Sequence, residues 1–176
     1  MGGTGSDYAY STVQTSDGGY VVAGWSNSNN GDVSGNNGSY DYWVVKLNSS
    51  GNLQWQKSLG GTGSDYAYSI TQTSDGGYAV GGYSNSTNGD ISGHHGINDN
   101  NDYWVVKLDS SGILQWQKCL GGTADDRPTS ILKTTDGEYI VVGNSNSLDG
   151  DVSGIHGFSS DYWIVKLGNT KVVSII

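Results

Sequence analysis

Cysteine, proline, methionine and phenylalanine each occur once in this chain, and so do glutamate (Glu138) and arginine (Arg127). A single thiol closes no internal disulfide. Cys119 stands where an earlier copy of the same segment has Ser58, so it reads as a small half-buried strand residue and leaves the compartment open. No apolar run approaches the roughly 20 residues that cross a bilayer. No charged, apolar and cleavable segment opens the chain, which therefore reads as soluble and mature or excised, with any secretion signal elsewhere. Basic residues are also scarce: 8 Lys and Arg stand against 17 Asp and Glu, a formal charge of −9. Nucleic acid and anionic membranes need clustered Lys and Arg, so neither is expected as a partner, and cations are the more natural company. Long aliphatic helix formers are few, whereas 29 Gly and abundant Ser, Asn, Tyr and Trp favour strands and turns. The expected class is all-β.

What is present is repetition. GGTGSDYAYS at residues 2–11 recurs unchanged at 60–69, and a divergent copy, GGTADDRPTS, begins at Gly121. YVVAGW (20–25) returns as YAVGGY (78–83) and YIVVGN (139–144), and DYWVVKL (41–47) returns at 102–108 and as DYWIVKL at 161–167. The chain divides into three units, 2–59, 60–120 and 121–176, which a repeat array packs against their neighbours.

Within the first unit the turn clusters Ser16-Asp17-Gly18-Gly19 and Asn48-Ser49-Ser50-Gly51-Asn52 separate predicted strands A (9–15), B (20–25), C (42–47) and D (53–59) in meander order. Strand C is apolar on both faces, with Trp43, Val45 and Leu47 one way and Tyr42 and Val44 the other, interrupted by Lys46. A four-stranded sheet that repeats and needs a cover on each face describes a β-propeller blade. The third unit departs at both ends: Arg127-Pro128-Thr129 replaces Tyr-Ala-Tyr, and its D strand, 171–176, lacks the counterpart of Trp55 and Trp116. Pro128 suits an edge position.

The series GGTGSDYAYSI, TSDGGYAVGGYSNS and DYWVVKLDSSGILQWQK resembles the SBBP-type bacterial β-propeller repeats, and the last part is also similar to quinoprotein-like blades. The resemblance covers all three units. It implies a propeller found in long arrays of secreted or cell-surface proteins, a scaffold that hosts enzymes, lectins and interaction platforms alike.

Meander order places the long B to C loops (26–41, 84–102 and 145–161) and the GGTGSD links at one end, the expected binding face. Their common core, SNSNNGDVSG, SNSTNGDISG and SNSLDGDVSG, follows the alternate-oxygen spacing of a calcium loop, with Asn30, Asp32, Asn88, Asp90, Asp149 and Asp151 as ligands. The competing role for the same side chains is Asn and Asp turn hydrogen bonding. His94, His95 and His156 fall in these loops, but one His per unit completes no tetrahedral zinc site, so solvated loop histidines are expected. Trp43, Trp104, Trp163, Trp55 and Trp116 read as packing between units. Trp25 and the Tyr8, Tyr10, Tyr66 and Tyr68 set are the aromatics with access to a ligand, and a sugar would suit them beside Asn and Asp. The candidate ligand face is Trp25, Tyr83, His95, His156, Asp7, Asp65 and Asp125. No nucleophile, base and orienter set stands out from the repeat. The expected function is a non-enzymatic binding or interaction scaffold without an assured cofactor, a calcium-dependent glycan-binding propeller is the alternative, and a propeller enzyme is remote. Three blades are fewer than a propeller uses, so the chain is expected to pair with itself into a six-bladed ring, leaving a carbohydrate or protein as further partner.

Overall fold

A computed structural model describes residues 1–157, 159–168 and 172–174. It is all-β, in three antiparallel four-stranded sheets of meander order. The first sheet holds β1 (Asp7–Gln14), β2 (Tyr20–Ser26), β3 (Asp41–Leu47) and β4 (Leu53–Leu59). The second holds β5 (Asp65–Gln72), β6 (Tyr78–Ser84), β7 (Asp102–Leu108) and β8 (Leu114–Leu120), and the third β9 (Asp126–Lys133), β10 (Tyr139–Ser145), β11 (Asp161–Leu167) and β12 (Val172–Ser174). The A strand begins two residues earlier than expected and releases Thr15 to the turn, where its hydroxyl meets Asp17. Of the predicted final strand 171–176, the part outside Val172–Ser174 lies outside the described residues.

Each A to B hairpin is pinned from a neighbouring strand. Gly18 takes φ 81° in the turn, the left-handed value that a residue with a Cβ resists. Asp17 accepts from Gly19 N at 3.0 Å and from Lys46 Nζ, 2.9 Å away. Lys46 thus does not break the buried strand. Its stem is covered, and its ammonium also meets Leu47 O and Gln54 Oε1. Lys107 with Asp75 (2.9 Å) and Lys166 with Asp136 (3.1 Å) repeat the stitch.

Every first strand carries a bulge, skipping Tyr10, Tyr68 and Thr129 in the pairing with the second strand. Gly24, Gly82 and Gly143 face it, and a Cβ on any of them would run into the opposite main chain. Pro128 sits at this bulge on an edge strand, where its missing N–H interrupts no ladder.

The cores lie between units rather than within them. Val21, Ala23, Tyr42 and Val44 of the first unit pack with Val80, Trp104, Val106 and Leu108 of the second. Ala79, Tyr103 and Val105 of the second pack with Val141, Trp163 and Val165 of the third. Trp43, Val45 and Val33 of the first unit form a small separate cluster, with no other unit against it among the described residues. One contact recurs at both junctions: Tyr42 lies 4.4 Å from Trp104, ring to ring, and Tyr103 lies 4.7 Å from Trp163. A second contact recurs with it, Trp55 on Tyr78 at 5.7 Å and Trp116 on Tyr139 at 5.8 Å.

Candidate functional site

The B to C loops and the links do share one end, and the loop side chains are spent on the links. In the first unit Gly2 N donates to Asp32 Oδ2 (3.0 Å), Thr4 N to Asn30 Oδ1 (2.8 Å), Gly5 N to Ser28 Oγ (2.8 Å) and Ser6 N to Asn27 Oδ1 (2.6 Å). In the second, Asp90, Asn88, Ser86 and Asn85 receive Gly60, Thr62, Gly63 and Ser64 in the same order. Asp149 receives both the N–H and the hydroxyl of Thr123 in the third. The alternate-oxygen spacing therefore matches a row of backbone donors in a link that has no strand to pair with. Asp151 differs, with its carboxylate 3.9 Å from His95 Nδ1. Among the described residues no group of three or more His, Cys, Asp or Glu is placed to hold a metal ion.

The aspartates that end the links point inward. Asp7 accepts from Gly3 N (2.8 Å) and from the hydroxyls of Ser26 (2.5 Å) and Ser28 (3.1 Å). Asp65 is fully buried on Gly61 N and Ser86, and Asp126 repeats this with Gly122 N, Ser145 and Ser147. Asp126, rather than Asp125, occupies the Asp7 position. Asp125 instead accepts from Asn101 N (2.9 Å) and holds Arg127 Nη2 at 3.0 Å.

A further pair of carboxylates, Asp41 and Asp102 at the heads of β3 and β7, carries no mark in the sequence beyond the DYW phrase. Both are completely buried, and in each Oδ1 has no hydrogen-bond partner. Burial pushes the Asp41 carboxyl up to about 7, helped by the nearby charges of Asp65 and Asp90 against the bond from Asn37 N. Burial raises Asp65, Asp102 and Asp126 as well.

The histidines divide. His94 is partly buried, its Nε2 lying 3.2 Å from Ser84 O and 3.1 Å from Asn100 O, so it is not a solvated loop residue. His95 places its N–H (2.6 Å) and Nδ1 (3.2 Å) on Asp102 Oδ2. His156 is exposed and gives its N–H to Asp161. Burial holds the Cys119 thiol well above its ordinary range, which removes it as a nucleophile at neutral pH.

The aromatic residues form one continuous strip along the first strands, which pack on one another. Tyr8 stacks on Trp25 at 4.3 Å, and Tyr40 and Tyr66 meet Trp25 edge-on at 5.0 and 5.3 Å. Tyr10 touches Tyr68 at 4.8 Å, and Tyr66 and Tyr68 lead to Tyr83 at 5.2 and 5.5 Å. The third unit replaces this with Arg127, whose guanidinium sits 5.2 Å over Tyr83. Tyr8 and Tyr10 remain 51% and 49% exposed, an accessible π surface. Tyr40, which joins the strip, lies outside the repeated phrases and was not visible as part of a site.

No family model matches the chain. It is similar to the regulatory protein FlaEY of Caulobacter vibrioides, with 31% identity over 150 residues. The match covers 83% of this chain and 15% of that protein, so the chain spans a small part of its relative.

Proposed function

We propose that the chain is a non-enzymatic propeller repeat module of the SBBP type, an interaction scaffold whose arc is closed by a second copy into a six-bladed ring. The observation that carries this is a lock with unused halves. Tyr42 and Tyr103 are wholly buried on Trp104 and Trp163 of the next unit, but Tyr162, their counterpart in the third unit, is 81% exposed. At the other end Trp43, the counterpart of Trp104, borders an apolar groove of about 240 Å³ with Met1, Tyr8, Val22, Val45 and Leu47, and among the described residues no tyrosine of another unit packs on it. Tyr162 of one copy fits Trp43 of another by the contact already made twice within the chain, and a two-fold axis closes both ends. The name of the Caulobacter relative, a regulatory protein, supports a role without catalysis. Mixing tests the pairing. Tyr162→Ala and Trp43→Ala chains, each impaired alone, are expected to associate when combined, because one intact lock is restored; failure of the mixture to exceed either variant contradicts the closure.

A second reading, glycan binding, is favoured by the aromatic strip rather than by the loops. Half-exposed Tyr8 and Tyr10 offer ring faces to the C–H face of a sugar, with Thr129 and the donors of Arg127 further along the same inner strands.

A further inference from the structure

The two junctions share a charge arrangement that packing alone does not require. A Cβ on Gly60 would stand 2.5 Å from Asp41 Oδ1 and 2.5 Å from Asp65 Oδ2, so the carboxyl heading β3 of one unit and the carboxyl heading β5 of the next are close neighbours across this glycine. Gly121 is flanked in the same way, by Asp102 Oδ1 at 2.7 Å and Asp126 Oδ2 at 2.5 Å. All four carboxyls are fully buried. The main chains cross at the same points, Asp65 N donating to Tyr40 O and Asp126 N to Asn101 O.

The oxygens are not equivalent. Asp65 Oδ2 and Asp126 Oδ2 are satisfied by link N–H groups and serine hydroxyls, and Asp41 Oδ2 and Asp102 Oδ2 by Asn37 N and His95 N. Asp41 Oδ1 and Asp102 Oδ1, the atoms beside the linking glycine and the partner carboxyl, have no hydrogen-bond partner, and at the first junction neither has Asp65 Oδ1. Two adjacent carboxylates in a dry site cannot both stay ionised without a counter-charge.

We propose that each unit junction holds one exchangeable proton on its aspartate pair, Asp41 with Asp65 and Asp102 with Asp126, and that losing this proton loosens the contact between units. A proton fits better than a metal because no three acidic or imidazole ligands converge there among the described residues. The groups facing the pairs support different settings. Around Asp41 and Asp65 stand Asp90, the phenols of Tyr42 and Tyr66, and His94; of these Asp90 disfavours ionisation of Asp41 and His94 favours that of Asp65. Around Asp102 and Asp126 stand the phenol of Tyr103, His94, His95, the Cys119 thiol, which also faces Asp65, and, beyond His95, Asp151. Imidazole lies directly against the second pair alone, His95 on Asp102, and its charge favours ionisation there.

The sign follows from linkage. A carboxyl whose folded value is raised binds its proton in the folded chain after the unfolded chain has released it. Stability therefore declines as pH rises from about 4 to about 7, the value of Asp41. Thermal unfolding of the whole chain between pH 5 and 8 is expected to show a fall in Tm of about 5 °C. Asp41→Asn keeps the acceptor for Asn37 N and removes the titration, so it should flatten the fall and melt higher than the parent at pH 8. If the variant does not fold, infrared spectra of the parent at pH 6 should still show the carbonyl stretch of a protonated carboxyl, absent at pH 9. A Tm independent of pH, an unchanged slope in a folded Asp41→Asn, or no protonated carboxyl at pH 6 overturns the proposal. So does calcium chloride at pH 8 restoring the Tm of the parent but not of Asp41→Asn, which would identify a metal as the counter-charge.

Discussion

The phenol of Tyr42 donates to the main-chain carbonyl of Trp104 in the next unit at 2.8 Å while its ring packs on the indole of the same residue. Tyr103 repeats the bond to Trp163 O at 3.1 Å. One side chain thus supplies both apolar cover and a directional bond across a junction. Tyr42→Phe keeps the first and deletes the second, and chemical denaturation should show a loss of about 1 kcal/mol. Tyr162→Phe, made at an exposed ring, should leave intrachain stability unchanged.

The A to B turns give a pH dependence of the opposite sign to the junctions. The hydroxyl of Thr15 and the ammonium of Lys46 hold Asp17 below the usual carboxylate range, Thr73 and Lys107 do so for Asp75, and Thr134 with Lys166 brings Asp136 to about 2. A depressed carboxyl contributes stability above its unfolded value near 4, roughly, and that stability is lost as pH falls through the folded value. Tm should therefore pass through a maximum in the mildly acidic range. Lys46→Met should weaken the acid limb and leave the alkaline limb in place, as a pH series of melting curves would show.

The loop oxygens predict a response to calcium. Asn88 and Asp90 already accept Thr62 N and Gly60 N, so an ion seated on them would have to release those donors. Calorimetry after chelator treatment is expected to give no heat at these loops. Asn88→Ala should instead speed amide exchange at Thr62 and cost about 1 kcal/mol. Calcium heat that disappears in Asn88→Ala would favour the cation reading instead.

Strand boundaries were legible because Gly, Ser and Asn clusters separate short β-branched and aromatic runs, and the two apolar faces of Tyr42 to Val45 announced a covered sheet. The loop chemistry was not. Alternate Asn, Ser and Asp oxygens suit a cation and a row of backbone N–H groups equally, and the donors here come from a link more than 20 residues earlier. Asp41 was hidden for a related reason: sequence shows a carboxyl but not that its Oδ1 is buried against the Asp of the following unit. Lys46 looked like an interruption because its partner, Asp17, lies in another turn.

For the aromatic strip, binding should be visible in tryptophan fluorescence. Neutral oligosaccharides are expected to shift the emission of Trp25, and Tyr8→Ala or Tyr10→Ala should weaken the effect several-fold without lowering Tm by more than a few degrees. No saccharide response across a broad panel would leave the strip as a packing feature of the first strands.

Closure of the ring by a second copy is read out by sedimentation equilibrium across a range of concentrations. Tyr20 is 40% exposed, whereas Tyr78 and Tyr139 are covered by Trp55 and Trp116, so the closing contact lacks one aromatic pair and should be weaker than the two inside the chain. Twice the 18.5 kDa chain mass is expected at micromolar concentration, dissociating on dilution, with a shift to monomer in Tyr162→Ala. A compact monomer that persists at the highest concentrations, with Tyr162 open to solvent, would contradict the closure.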